Sequence, residues 1–308
     1  MRVACIDIGT NSIRLLMSNF DGTRFTEVFK SLQMTRLGKG VNETKCLAQD
    51  RIEASVSVIT EYCIKAKKYG AEKVYLMATS AVRDATNAHV FIDAVFDKTG
   101  HTIEVISGEI EAKVGFMGVL AGSENPEQTT LVIDIGGGST EFIVGDAKGI
   151  HYAKSLNIGA VRMTGAFIHS DPVLETETQA VLAFVFKEIE AVIEAIKAFE
   201  IDAVIGIGGT ATTYATMNHE VTTYSRLKVH GLKVSINDLV ALNKRLGVAT
   251  IEERKHFPGL EEKRADIIYA GGLVMQAIME SLGLSTFSVS DYDNLEGFIV
   301  YKWREAHK

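Results

Sequence analysis

Two short stretches of the chain carry residues suited to holding phosphate. Asp7-Ile-Gly-Thr-Asn-Ser12 and Asp134-Ile-Gly-Gly-Gly-Ser-Thr-Glu141 each set an acid ahead of a glycine-rich, hydroxyl-bearing turn. Glycines let backbone N–H groups approach an anion closely, and Ser, Thr and Asn side chains add donors. The expected phosphate-binding residues are Thr10, Asn11 and Ser12 in the first stretch and Gly136, Gly137, Gly138 and Ser139 in the second. The leading Asp7 and Asp134 stand at strand ends, where a carboxylate can hold Mg2+ directly or through water. One such turn alone would be read as an ordinary β-turn; two in register point to phosphate.

Gly206-Ile-Gly-Gly-Thr-Ala211 is a third candidate, with Gly208, Gly209 and Thr210 placed to grip a phosphate through helix N-terminal amides. Its spacing also satisfies the dinucleotide pattern G-x-G-x-x-A. That pattern needs an early position and an acid about 20 residues on to hold a ribose, and neither is present. Gly38-Lys39 lacks the upstream Gly and the following Ser or Thr of a Walker A loop.

The elements that must position these loops repeat along the chain. Ala4–Gly22 and Leu131–Gly149 align without a gap at an offset of 127, with Ile6, Asp7, Ile8, Gly9, Ser12 and Gly22 each meeting an identical residue. Both read as an apolar strand ending in Asp, a polar turn, a second strand and a turn at Asp21-Gly22 or Lys148-Gly149, which is a β-hairpin. An amphipathic helix is expected over 49–71, with Ile52, Val56, Ile59 and Cys63 at helical spacing. Its counterpart is expected over 175–199, with Val181, Phe184, Ile189, Val192 and Ile196. A strand, small-residue turn and helix follow each, at 74–81 and 204–211. The reading is a duplication of one α/β layered unit.

A chain of 308 residues suits two domains, and 46% hydrophobic with 23% charged residues suits filled cores. The net charge of −7 argues against a general nucleic-acid or membrane-surface binder. Cys5, Cys46 and Cys63 lack metal spacing and read as free thiols of a reducing cytosol. The N-terminal apolar run is broken by Asp7, so it reads as a buried strand rather than a signal peptide. No stretch approaches the roughly 20 apolar residues of a membrane span. A cytoplasmic protein is expected.

Two duplicated α/β domains that each open on a D-x-G hairpin resemble the actin, Hsp70 and sugar kinase superfamily. The resemblance implies two ribonuclease H-like (actin-like) α/β domains facing an interdomain cleft. The expected boundaries are 1–121 and 122–295, with a final helix, about 296–308, packing back on the first domain. Within that superfamily the chain resembles the exopolyphosphatase / guanosine pentaphosphate phosphohydrolase family over its whole length. The carrying segments are Ile6–Ser12, Ala78-Thr-Ser-Ala-Val-Arg83, Ile106-Ser-Gly-Glu-Ile-Glu-Ala112 and Asp134–Glu141. Gly159-Ala-Val-Arg162, Val229-His-Gly231, Arg264-Ala-Asp266 and the 290–297 segment add support.

The resemblance implies a hydrolase that removes terminal phosphate from inorganic polyphosphate or guanosine pentaphosphate. It places the general base at Glu111, the phosphoryl-gripping side chain at Arg83, and metal and water partners at Asp134 and Glu141, with Asp7 as a further contributor. The cation expected is Mg2+ or Mn2+, since carboxylates without a histidine or thiolate cluster suit a hard ion. Arg264 is a weaker candidate for binding the substrate farther along. Departures are clear too. Ile110 stands where the family has a second Glu, and Ser290-Asp-Tyr-Asp-Asn-Leu-Glu-Gly297 lacks a Gly and an Arg of the family pattern. The chain also ends without the extra helical domains of longer members, so short phosphate chains or nucleotides are expected. The rival readings are a kinase or actin-like ATPase of the same superfamily and a non-catalytic polyphosphate or alarmone sensor. The choice between the two substrates, and whether the chain forms a homodimer, stay open.

Overall fold

A computed structural model describes residues 1–307. The chain divides into two compact units, Met1–Gly122 with Tyr292–Lys308, and Ser123–Asp291. The first unit contains β1 (Arg2–Ile8), β2 (Ser12–Phe20), β3 (Phe25–Met34), α1 (Val41–Thr44) and α2 (Gln49–Tyr69). It continues through β4 (Lys73–Ala78), α3 (Ser80–Arg83), α4 (Ala88–Thr99), β5 (Ile103–Val105) and α5 (Gly108–Gly122). The second unit runs β6 (Thr130–Ile135), β7 (Thr140–Asp146), β8 (Gly149–Leu156), α6 (Ala160–Phe167), α7 (Glu175–Ile196), β9 (Ala203–Ile207) and α8 (Gly208–Asn218). It is completed by α9 (Arg226–Val229), β10 (Lys233–Ser235), α10 (Ile236–Val248), α11 (Ile251–Arg254), α12 (Ile268–Leu282) and β11 (Thr286–Val289). The chain then returns to the first unit as α13 (Asn294–Ala306).

The two sheets share one topology. The first has the order β3-β2-β1-β4-β5 and the second β8-β7-β6-β9-β11, extended at its edge by β10. In each, the opening strand pairs antiparallel with the second and parallel with the fourth. This is the duplicated ribonuclease H-like (actin-like) α/β class. The leading helices run over 49–69 and 175–196, each slightly shorter than the periodicity suggests. Gly70, at φ 78°, stops α2 in a left-handed cap that a Cβ would disfavour.

Strand alternation decides which face each aspartate joins. Along β1, Ala4, Ile6 and Ile8 enter one core with Ile52 and Ile59 of α2 and Phe91 and Val95 of α4. Val3 and Cys5 enter another with Leu16, Phe20, Val114 of α5, and Leu295, Phe298 and Ile299 of α13. Asp7 follows the second set, because side chains two apart share a face. In β6, Leu131, Ile133 and Ile135 enter the main core with α7 and α12, so Asp134 faces the other way.

The final helix is locked to α5 by close backbone approach. A Cβ at Gly297 would overlap the Val114 carbonyl oxygen, and one at Gly118 would overlap the Asp293 carbonyl. The helix starts at Asn294, ahead of the expected 296, because Asp293 caps it in a capping box with Glu296. Gly297→Ala should therefore destabilise the protein by about 1–3 kcal/mol, as overpacked sites do. An unchanged melting temperature would show that α5 and α13 are not in backbone contact.

Candidate active site

In the second unit, the Gly136–Ser139 loop is clamped from behind. Gly136 N donates to Ser139 O at 3.0 Å, closing the turn between β6 and β7. Three successive carbonyls are then taken by the start of α6. Ala160 N donates to Gly136 O at 2.8 Å, Arg162 N to Gly137 O at 3.0 Å, and Arg162 Nε to Gly138 O at 2.8 Å. Gly159 has no room for a side chain, since a Cβ would overlap the Gly137 carbonyl. In a planar trans peptide the N–H points opposite the C=O. Tying back three carbonyls therefore turns the amides of Gly137, Gly138 and Ser139 the other way, as an anion-binding nest.

Asp134 and Glu141 flank this loop as direct partners across β6 and β7. Opposed residues of an antiparallel pair share a face with Cβ atoms about 5 Å apart. Both are buried, and Ser155 Oγ, from β8, donates to Glu141 Oε1 at 2.6 Å. Gly208 opens α8 at φ 75°, and a Cβ there would overlap Asp134 Oδ1. A Cβ at Gly209 would overlap the Arg264 guanidinium, so Arg264 lies against the first turn of α8. Thr210 turns its hydroxyl inward, donating to Ile135 O at 2.9 Å. Of the predicted trio Gly208, Gly209 and Thr210, the glycines thus make room for a carboxylate and a guanidinium, and the threonine anchors the helix.

In the first unit, Gly9 N donates to Ser12 O at 3.0 Å to close the equivalent turn. The following segment folds over it, with Arg36 N donating to Asn11 O at 2.9 Å and Gly38 N to Thr10 O at 2.8 Å. The Thr10 and Ser80 hydroxyls share a hydrogen bond of 2.9 Å, and Asn11 Nδ2 donates to Met34 Sδ at 3.3 Å. The side chains of Thr10 and Asn11, expected on phosphate, are therefore tied within the unit. The Asn11 amide, opposite the bonded Thr10 carbonyl, is turned away from the covering segment.

Arg83 and Glu111 meet in this unit although 28 positions separate them. Arg83 ends α3 and Glu111 lies in the first turn of α5. Arg83 Nη1 donates to Glu111 Oε2 at 3.1 Å and to the Ile106 carbonyl at 3.0 Å. Glu111 is 7% exposed, so its carboxylate meets the Arg83 guanidinium in a largely dry setting.

Asp7, the counterpart of Asp134, is bound by an arginine. Arg14, directly across β2, donates to Asp7 Oδ2 from Nε at 3.0 Å and Nη2 at 2.6 Å. Its Nη1 donates to Asp293 Oδ2. Asp7 Oδ1 is buried without a hydrogen-bond partner, and burial raises the Asp7 pKa against the opposing pull of Arg14. For Asp293 burial also pushes upward, but the charges of Arg14 and Lys30 outweigh it and hold the carboxyl below its usual range. Among the described residues no three His, Cys, Asp or Glu side chains gather as a metal set. Asp134 with Glu141 is the acid pair that fits a hard cation, while Asp7 is engaged by an arginine.

Sequence reasoning missed Arg14, Asp293 and the loop-clamping role of Arg162. Arg14 was discoverable, since at the offset of 127 it is the counterpart of Glu141. Asp293 carried a signal too, replacing the Gly of the family pattern at 290–297.

The profile of the Ppx/GppA phosphatase family matches residues 16–306. Exopolyphosphatase 2 of Mycobacterium tuberculosis is 31% identical over 97% of this chain and 98% of its own length. A bifunctional 3-dehydroquinate synthase/phosphatase of Fusobacterium nucleatum is 36% identical over 96% of this chain, which spans only 46% of that protein. The crystal structure of the Ppx/GppA family member of Aquifex aeolicus superposes with a TM-score of 0.84 at 32% identity, covering 100% of this chain and 99% of that one. Inorganic pyrophosphate is expected to raise the melting temperature of the wild type, and Gly159→Ala should abolish that rise if the clamp behind the Gly136–Ser139 loop builds the nest. A wild-type-sized rise in that variant would detach the nest from anion binding.

Proposed function

The chain belongs to the Ppx/GppA phosphatase family, and we propose that it releases terminal phosphate from a phosphoanhydride chain, inorganic polyphosphate or guanosine pentaphosphate. The observation that carries this reading is the row of three amides at Gly137–Ser139, turned outward because α6 holds the carbonyls behind them. Backbone donors of this kind suit an anion with oxygens on several sides. Both substrates end in the same anhydride, so the site chemistry is common to them.

In this reading Glu111 is the general base that orients and deprotonates the attacking water. Arg83 grips a phosphoryl oxygen. Because it already touches Glu111, a group bound by that guanidinium stays within about one water molecule of the carboxylate. Asp134 and Glu141 would hold Mg2+ or Mn2+: two buried carboxylates set directly opposite each other match a hard oxygen-seeking ion. Bound there, the ion would offset charge building on the transferred phosphoryl group. Arg264, against the α8 N-terminus, binds phosphate beyond the reacting one.

Three free thiols accord with a reducing, cytoplasmic setting. The kinase reading asks for a pocket and base aimed at an acceptor alcohol or acid, and Glu111 with Arg83 serves water attack instead. The sensor reading leaves the Arg83–Glu111 pair without a task.

The decisive assay follows phosphate released from polyphosphate of defined lengths, guanosine pentaphosphate and ATP in the presence of Mg2+. Release from either of the first two, lost on exhaustive EDTA treatment and restored by Mg2+, is expected. Phosphate transfer from ATP to an acceptor without that release would overturn the reading in favour of a kinase. Glu111→Gln should lower kcat by about 10²–10⁴-fold while substrate still binds. Arg83→Ala should lower kcat by about 10²-fold or more, as loss of a phosphoryl clamp does. Arg264→Ala should raise KM with little change in kcat, because it binds ground and transition states alike. An Arg83 variant altered in KM alone would make that residue a tether and remove it from the chemistry.

A further inference from the structure

The two hairpins place opposite chemistry at one equivalent position. Across β6 and β7, Asp134 faces Glu141; across β1 and β2, Asp7 faces Arg14. At the offset of 127 that relates the hairpins, Arg14 is the residue that matches Glu141. The acid pair of the second unit thus has, in the first, an acid and a guanidinium.

That guanidinium is gripped from two directions. Nε and Nη2 reach Asp7 Oδ2 at 3.0 and 2.6 Å, and Nη1 reaches Asp293 at the head of α13. One turn on, Glu296 of α13 is fully buried and paired with Lys30 of β3 at 2.9 Å. Asp7 and Asp293 are both buried, and Asp7 keeps an Oδ1 that no hydrogen bond satisfies. Without Arg14, two carboxylates from distant parts of the chain would converge on one dry spot. Such a pair is costly unless a cation sits between its members.

We propose that Arg14 is the built-in cation of the first hairpin, standing where the second hairpin offers its acid pair to a divalent ion, and that Asp293 is the positioning residue that holds it there. The inference rests on the metal reading of Asp134 and Glu141. Arginine stays charged at any working pH and cannot dissociate, so the first loop keeps its neutralising charge in every state of the protein. Its planar fork also fixes direction, which a hydrated ion does not. The divalent requirement is thereby confined to the second unit. The final helix, through Asp293, takes part in setting the first phosphate loop.

Mn2+ binding to the metal-free full chain, counted by electron paramagnetic resonance, tests this without reference to activity. The wild type should bind one Mn2+ per chain and Asp134→Asn none. Arg14→Ala should gain one further Mn2+ per chain, because Asp7 and Asp293 then face each other without their cation. Arg14→Ala/Asp293→Asn should lose that added ion. Arg14→Lys, which keeps a charge but not the fork, should bind one Mn2+ and show a lowered kcat with KM little changed. The proposal is overturned if Arg14→Ala binds no more Mn2+ than the wild type. It is equally overturned if Arg14→Ala fails to fold even with excess Mn2+, since an ion could then not take the place of the guanidinium. Mn2+ retained by Asp134→Asn would instead sink the metal reading of the second hairpin, while the difference between Arg14→Ala and wild type still judges Arg14.

Discussion

A carboxylate taken out of water must meet positive charge or hydrogen-bond donors, or it will not stay ionised. Asp7, Glu111, Asp134, Glu141, Asp293 and Glu296 are all buried, and much of the local architecture answers that demand. In the first unit the answer is arginine and lysine: Arg14 between Asp7 and Asp293, Arg83 on Glu111, Lys30 on Glu296. Each pair joins different elements: strand to strand at Asp7–Arg14, helix to helix at Arg83–Glu111, and strand to the start of α13 at Arg14–Asp293 and Lys30–Glu296. The Asp293 and Glu296 contacts bring the start of α13 onto β2 and β3, while the glycine contacts at Gly118 and Gly297 bring its backbone against α5. Charge and close packing thus specify the same placement for the returning helix.

The second unit surrounds its buried carboxylates with hydroxyl, glycine and amide groups. Asp134 and Glu141 are flanked by the hydroxyl of Ser155, the glycine-lined start of α8 and a loop whose amides are turned outward. On the proposed function, this surface would take a hard cation on the carboxylates and an anion on the amides. Its loop geometry depends on parts outside the loop. Arg162 and the first amides of α6 hold three carbonyls, and Gly159 permits the approach by having no side chain. A duplicated scaffold has therefore diverged at a few positions while both sheets keep one strand order.

What the sequence determined by itself lies in local pattern. The repeat of Ile6-Asp-Ile-Gly in Ile133-Asp-Ile-Gly, the hairpin turns and the helical spacing of residues such as Ile52 and Ile59 follow from short-range rules of period and turn chemistry. Those rules reach only a few residues, and they sufficed for the leading loops and for a layered α/β unit at the start of each half, while the actin-like class came from the resemblance of the duplicated D-x-G hairpins.

The partners of the site residues were decided by tertiary structure alone. Arg83 finds Glu111, Arg14 finds Asp293, Arg162 finds Gly138 and Arg264 lies on Gly209 across separations that no local rule spans. Thr10, Asn11 and Thr210 show the same limit in reverse. Their types suit phosphate, yet Ser80, Met34 and the Ile135 carbonyl hold their side chains. A polar residue in a loop has several acceptors within its chemical repertoire. Which one it meets depends on how sheets and helices pack, and that packing is set by the whole core rather than by the residue's neighbours in sequence.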